Sequence, residues 1–154
     1  MVWKDLGNGK EVNVVEYIKN YLDVKPETKL YIGTDSQRKG KRVVYATVVV
    51  LYNEGKGGKV LYSKSTAPPI KDNFTRLFKE IETSIETATF LNDSGIEKKF
   101  ITIDMDYNDD KKYYSNRLLT SALGWATAMG YECRKKPDAF AGSHAADKLV
   151  KGLI

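Results

Sequence analysis

"KLYIGTDSQRKGKRVVYATVVVLY", from Lys29 to Tyr52, decides the architecture. Lys29 to Ser36 reads as a strand and "QRKGK" as a tight turn. Arg42 to Tyr52 is β-branched and long enough for a central strand. Asp35 stands at the end of the first apolar run, where an unpaired charge is costly. A function for that carboxylate depends on what the rest of the chain brings beside it.

Downstream, "NEGKGGK" is a Gly-rich hairpin loop leading into a third strand, Val60 to Ser65. It lacks the G-x-x-x-x-G-K-[ST] order of a Walker A loop. Upstream, Val12, Val15, Ile18 and Leu22 recur at helical spacing, predicting an amphipathic helix over Glu11 to Leu22 that ends before Pro26. Beyond Pro68 and Pro69, Phe74, Leu77, Phe78, Ile81, Ile85 and Ala88 share one face of a predicted long helix. "KKFITIDMD" gives a strand, Phe100 to Ile103, ending in acid. "SNRLLTSALGWATAMG" gives a second core helix stopped by Gly130, and "YECRK" a fifth strand. After Pro137 a last helix is expected from Ser143. Three strands followed by alternating helix and strand predict an α/β fold with a five-stranded mixed sheet flanked by helices. A single domain spans 1–154, with 1–28 as an N-terminal helical extension.

The chain has 154 residues, 42% hydrophobic and 29% charged, the balance of a globular domain with a sizeable core. No segment approaches the roughly 18–20 apolar residues that span a bilayer, and "MVWKDLGNGKEV" lacks the apolar stretch of a signal peptide. A single cysteine, Cys133, excludes an internal disulfide and a Cys-based zinc site. The expectation is a cytoplasmic protein with no membrane partner. The net charge of +5 favours anionic partners such as nucleic acid, with basic residues thickening at 38–42, 56–59 and 134–136.

Asp35 and Asp104 end their strands alike, in "YIGTDSQ" and "ITIDMD". If those strands are parallel neighbours joined by the long helix, both acids sit at one sheet edge, where ligand sites in open α/β sheets form. Paired carboxylates repel unless a cation joins them, and Mg²⁺ is the natural cation for hard oxygen ligands and phosphate. A two-metal site needs further acids. The long helix offers Glu80, Glu82 and Glu86, and the terminal segment Asp138, His144 and Asp147.

The order of elements resembles the ribonuclease H-like fold. In that superfamily an acid on the first strand, a glutamate on the first crossover helix, an acid ending the fourth strand and an acid on the last helix bind two Mg²⁺ ions. Asp35, Glu80 in "RLFKEIETS", Asp104 and Asp147 in "HAADK" stand in those places. "GTDSQ", "VYATVVVLY", "GKGG", "RLFKE", "KPDAF" and "ADK" are similar to a bacterial and phage family, the YkuK-like proteins, expected to be ribonuclease H-related nucleases. Glu82 also fits the wording in place of Glu80, and Asp138 in place of Asp147.

The resemblance implies a nuclease hydrolysing phosphodiester bonds of RNA, DNA or a hybrid with two Mg²⁺ or Mn²⁺ ions. Asp35, Glu80, Asp104 and Asp147 are its expected metal ligands, with His144 in support. Lys136, Lys148, Arg38 and Lys41 are the expected contacts to the nucleic-acid backbone. The alternative is a non-catalytic ribonuclease H-like module that binds nucleic acid or protein.

Overall fold

The computed structural model describes residues 1–70, 72–105 and 113–135. Among these residues the sheet is mixed and has seven strands in the order β2-β1-β5-β4-β3-β6-β7. The strands are β1 (Trp3–Asp5), β2 (Glu11–Val12), β3 (Lys29–Lys39), β4 (Arg42–Asn53), β5 (Gly57–Ala67), β6 (Ile101–Met105) and β7 (Glu132–Lys135). Three α-helices lie among the described residues: α1 (Val14–Val24), α2 (Asn73–Asp93) and α3 (Tyr113–Ala128). β3, β4 and β5 form two antiparallel hairpins, while β6 lies parallel to β3 and β7 parallel to β6.

The expected five strands become seven because the N-terminal region is not purely helical. Trp3 and Lys4 pair with Val12 and Glu11, and β1 adds to the free edge of β5 through Lys4↔Tyr62. Asn13 starts α1 there, its side chain accepting from the Glu16 N–H at 3.1 Å, so Glu11 and Val12 fall outside the helix. The buried face of α1 is accordingly Val14 and Ile18.

The β3–β4 turn is tighter than expected. Lys39 pairs with Arg42, leaving only Gly40 and Lys41 in the loop. Gly40 has φ +62°, the left-handed backbone that two-residue hairpins demand. β3 therefore runs three residues past Ser36, and Asp35 sits inside a ladder instead of at its end.

α2 begins at Asp72, whose carboxylate accepts from the Phe74 and Thr75 N–H groups. It buries Ile81, Ile85, Ala88 and Leu91 against the sheet. Phe74, expected on that face, lies in the exposed first turn. α3 lays Trp125 flat against Phe78 of α2, ring centroids 6.0 Å apart. It ends as expected: Tyr131 N–H bonds the Ala126 carbonyl and Gly130 N–H that of Thr127, a Schellman closure with Gly130 at φ +89°.

The main core fills the space between this sheet face and the helices, with Leu30, Ile32, Ile101 and Ile103 from the central parallel pair. The opposite face carries a smaller apolar cluster around Ala46, Val48 and Val50, fringed by Tyr31, Tyr52 and Tyr62.

Candidate active site

Strand alternation sorts the acids between the two sheet faces. Leu30 and Ile32 of β3 face the main core, and so do Thr34 and Ser36, whose hydroxyls meet Ser84 and Glu80 of α2. Asp35 therefore points to the opposite face. On β6, Ile101, Ile103 and Met105 face the same main core, so Asp104 also points away from it. The parallel register, Leu30↔Ile101 to Ile32↔Ile103, sets Gly33 beside Asp104 at the next step. Asp35 and Asp104 thus share a face on neighbouring parallel strands. From a rise of about 3.3 Å per residue and a strand spacing of about 4.8 Å, their Cα atoms lie roughly 8 Å apart.

Asp104 is completely buried at its side chain and takes a two-pronged contact from Arg134 of β7. Nε reaches Oδ1 at 2.9 Å and Nη2 reaches Oδ2 at 3.1 Å. The register Asp104↔Arg134 places the two side chains on one face of adjacent strands. The guanidinium also lies over the Tyr31 ring, its central carbon 3.8 Å from the centroid, so it bridges β7, β6 and β3.

Glu80 sits on the helix-covered side. It is 5% exposed, and the Ser36 hydroxyl donates to its carboxylate. Across β3–β4, Tyr45 pairs with Ser36, and its buried hydroxyl has no hydrogen-bond partner among the described residues. Burial, then the nearby Glu80 charge, pushes the Tyr45 phenol above its ordinary value. Glu82 lies on the outer helix surface, paired with Lys79 at 3.0 Å. Among the described residues, no three acidic, histidine or cysteine side chains gather closely enough to hold one metal ion. Asp35 and Asp104 are brought together on one face; Glu80 is held on the other.

Arg38 and Lys41 are exposed at the hairpin tip. Arg38 lies roughly 10 Å beyond Asp35 along the strand. Alternation gives Arg38 the opposite face, whereas Lys39 and its partner Arg42 share the face of Asp35. Asp138, His144, Asp147, Lys136 and Lys148 lie outside the described residues. The fork on Asp104 was not legible in "YECRK", a strand in which Arg134 reads only as one of the basic residues at 134–136. Alternation from the core-packed Cys133 would assign its face, but only the β6–β7 register supplies its partner.

A mixed sheet of antiparallel hairpins extended by two parallel strands, with acids on one face of the central parallel pair, defines an α/β protein of the ribonuclease H-like class. The chain belongs to the ribonuclease H-like family, whose model matches residues 13–151. No curated relative matches it in sequence. Among solved structures it is similar to RNase H1 from the halophilic archaeon Halobacterium salinarum NRC-1, at 15% identity and a TM-score of 0.45. That match covers 80% of this chain and 98% of the archaeal one. It is also similar to the N-terminal RNase H domain of rv2228c from Mycobacterium tuberculosis, solved as a fusion with maltose binding protein. There the identity is 16%, the TM-score 0.40, and the coverage 82% of this chain and 99% of that one.

Proposed function

We propose that this chain is a metal-dependent nuclease of the YkuK-like kind, hydrolysing phosphodiester bonds of RNA, DNA or a hybrid. The observation that carries the reading is the pair Asp35 and Asp104, on one face of adjacent parallel strands and two residues apart in register. Family membership supplies the general class, nucleic-acid nuclease.

The fit of a cation is supported by the protein's own chemistry. A guanidinium already lies against both oxygens of Asp104, so that position accepts positive charge. Asp35 and Asp104 would hold the first Mg²⁺ or Mn²⁺, which suits carboxylate oxygens plus a substrate phosphate. Glu80 and Asp147 would complete a two-ion site, with His144 beside them. When bound, the ions supply an activated water and neutralise the leaving oxygen. The chain's carboxylates would orient the site, and the Ser36 hydroxyl donates to Glu80 from β3. Arg38, Lys41, Lys136 and Lys148 would hold the nucleic-acid backbone by charge.

The test is cleavage of labelled single-stranded, duplex, hybrid and junction substrates with Mg²⁺ or Mn²⁺. Asp35→Asn is expected to lose at least about a hundredfold in rate while its circular dichroism stays native. Full activity in that variant overturns the mechanism. A second reading, a module that binds nucleic acid without cutting, draws on the Arg134–Asp104 pair, which neutralises the central acid without a metal. Tight binding with no cleavage of any substrate would select it.

A further inference from the structure

Arg134 is not among the expected site residues, yet its guanidinium meets both oxygens of the central acid. Asp104 is fully buried at its side chain, and a buried carboxylate demands a partner. Arg134 meets that demand with a planar fork that matches both oxygens. It is itself only 21% exposed at its side chain and stacked on Tyr31, which leans at 6.2 Å on Tyr52. Such a guanidinium is held on two sides, by a carboxylate and by a ring face.

We infer that Arg134 is the resident counter-ion of the candidate metal site, occupying the cation position on Asp104 until a divalent ion displaces it. The inference rests on the reading of Asp104 as a metal ligand. The fork takes one contact on each oxygen and brings a fixed positive charge to the site, so an entering divalent ion meets a repulsion that opening the fork relieves. Tyr31 then determines where the guanidinium goes: it keeps a ring face to rest on while leaving Asp104. The consequence is a site whose affinity for metal is set below what its carboxylates alone would give. Arg134 is a positioning residue in this account, acting through Asp104.

A purely structural ion pair makes a different prediction. Its loss would lower stability and leave metal affinity unchanged or weaker. Competition requires affinity to rise when the guanidinium is removed.

The experiment is Mn²⁺ binding by the whole chain, read from the electron paramagnetic resonance signal of free Mn²⁺, for wild type, Arg134→Gln and Arg134→Lys. Arg134→Gln is expected to bind Mn²⁺ about tenfold more tightly, the scale of one charge-assisted hydrogen-bond pair. Arg134→Lys, which keeps the charge and loses the fork, should fall between, and it carries the test should the glutamine variant not fold. Adding Asp104→Asn to either variant should abolish the gain. Unchanged or weaker affinity in folded variants overturns the inference, as does a gain that survives Asp104→Asn. No Mn²⁺ binding by any variant overturns it together with the metal site. Tightened binding without cleavage of any substrate would uphold it while removing the nuclease reading. Cleavage by wild type with affinity unmoved by Arg134→Gln would do the reverse.

Discussion

At the scale of the residue, burial decides chemistry more than residue type does. Glu80 and Glu82 lie two positions apart on α2, yet one is buried against Ser36 and the other pairs with Lys79 on the outer surface. Periodicity could suggest the first over the second, because Glu80 precedes core-facing Ile81. It could not show that Ser36 would hold it, since that contact joins residues far apart in the chain. Cys133 makes the same point. It is half-buried in β7, and burial pushes its thiol from an ordinary 9.0 up to about 11. Two units leave about a hundredfold fewer thiolates near neutral pH, and the thiolate is the nucleophile. Alkylation by iodoacetamide should therefore be about a hundredfold slower in the native protein than in guanidinium. Equal rates would mean that β7 opens readily.

Elements are set by their ends. α1 waits for Asn13, α2 for Asp72 and β4 for a two-residue turn that opens on the left-handed Gly40. These signals are local, which is why α1, α2, α3 and the two central hairpins were legible; the helix expected from Ser143 lies outside the described residues. The short strands β1 and β2 were not, because two or three residues carry too little pattern and form only against the edge of β5. Gly58 of β5 shows how closely the hairpin partners approach. A Cβ there would run into the Leu51 carbonyl of β4. Gly58→Ala should cost about 1–3 kcal/mol, read as a lower urea midpoint with unchanged slope. An unmoved midpoint would mean that the β4–β5 ladder is slack at that end.

For the whole molecule, the long β3–β4 hairpin carries Arg38, Lys39, Lys41 and Arg42 beyond the candidate site, all exposed. If the proposed function holds, this tip meets phosphates, and binding to a single-stranded oligonucleotide weakens as salt rises. Replacing Lys39 and Arg42 by serine should flatten the slope of log affinity against log salt by about 0.7 per lost contact. An unchanged slope would remove the hairpin from the interface. The sequence by itself determined the order of the main elements, the two strand acids and the basic hairpin, because strand alternation, helical spacing and turn residues are local properties. Only the tertiary structure decided that Asp35 and Asp104 share a face, that Glu80 faces the other way and that Arg134 closes on Asp104. Those facts depend on the parallel register of β3, β6 and β7, which is set by packing between paired segments about thirty and about seventy residues apart and leaves no mark within any one of them.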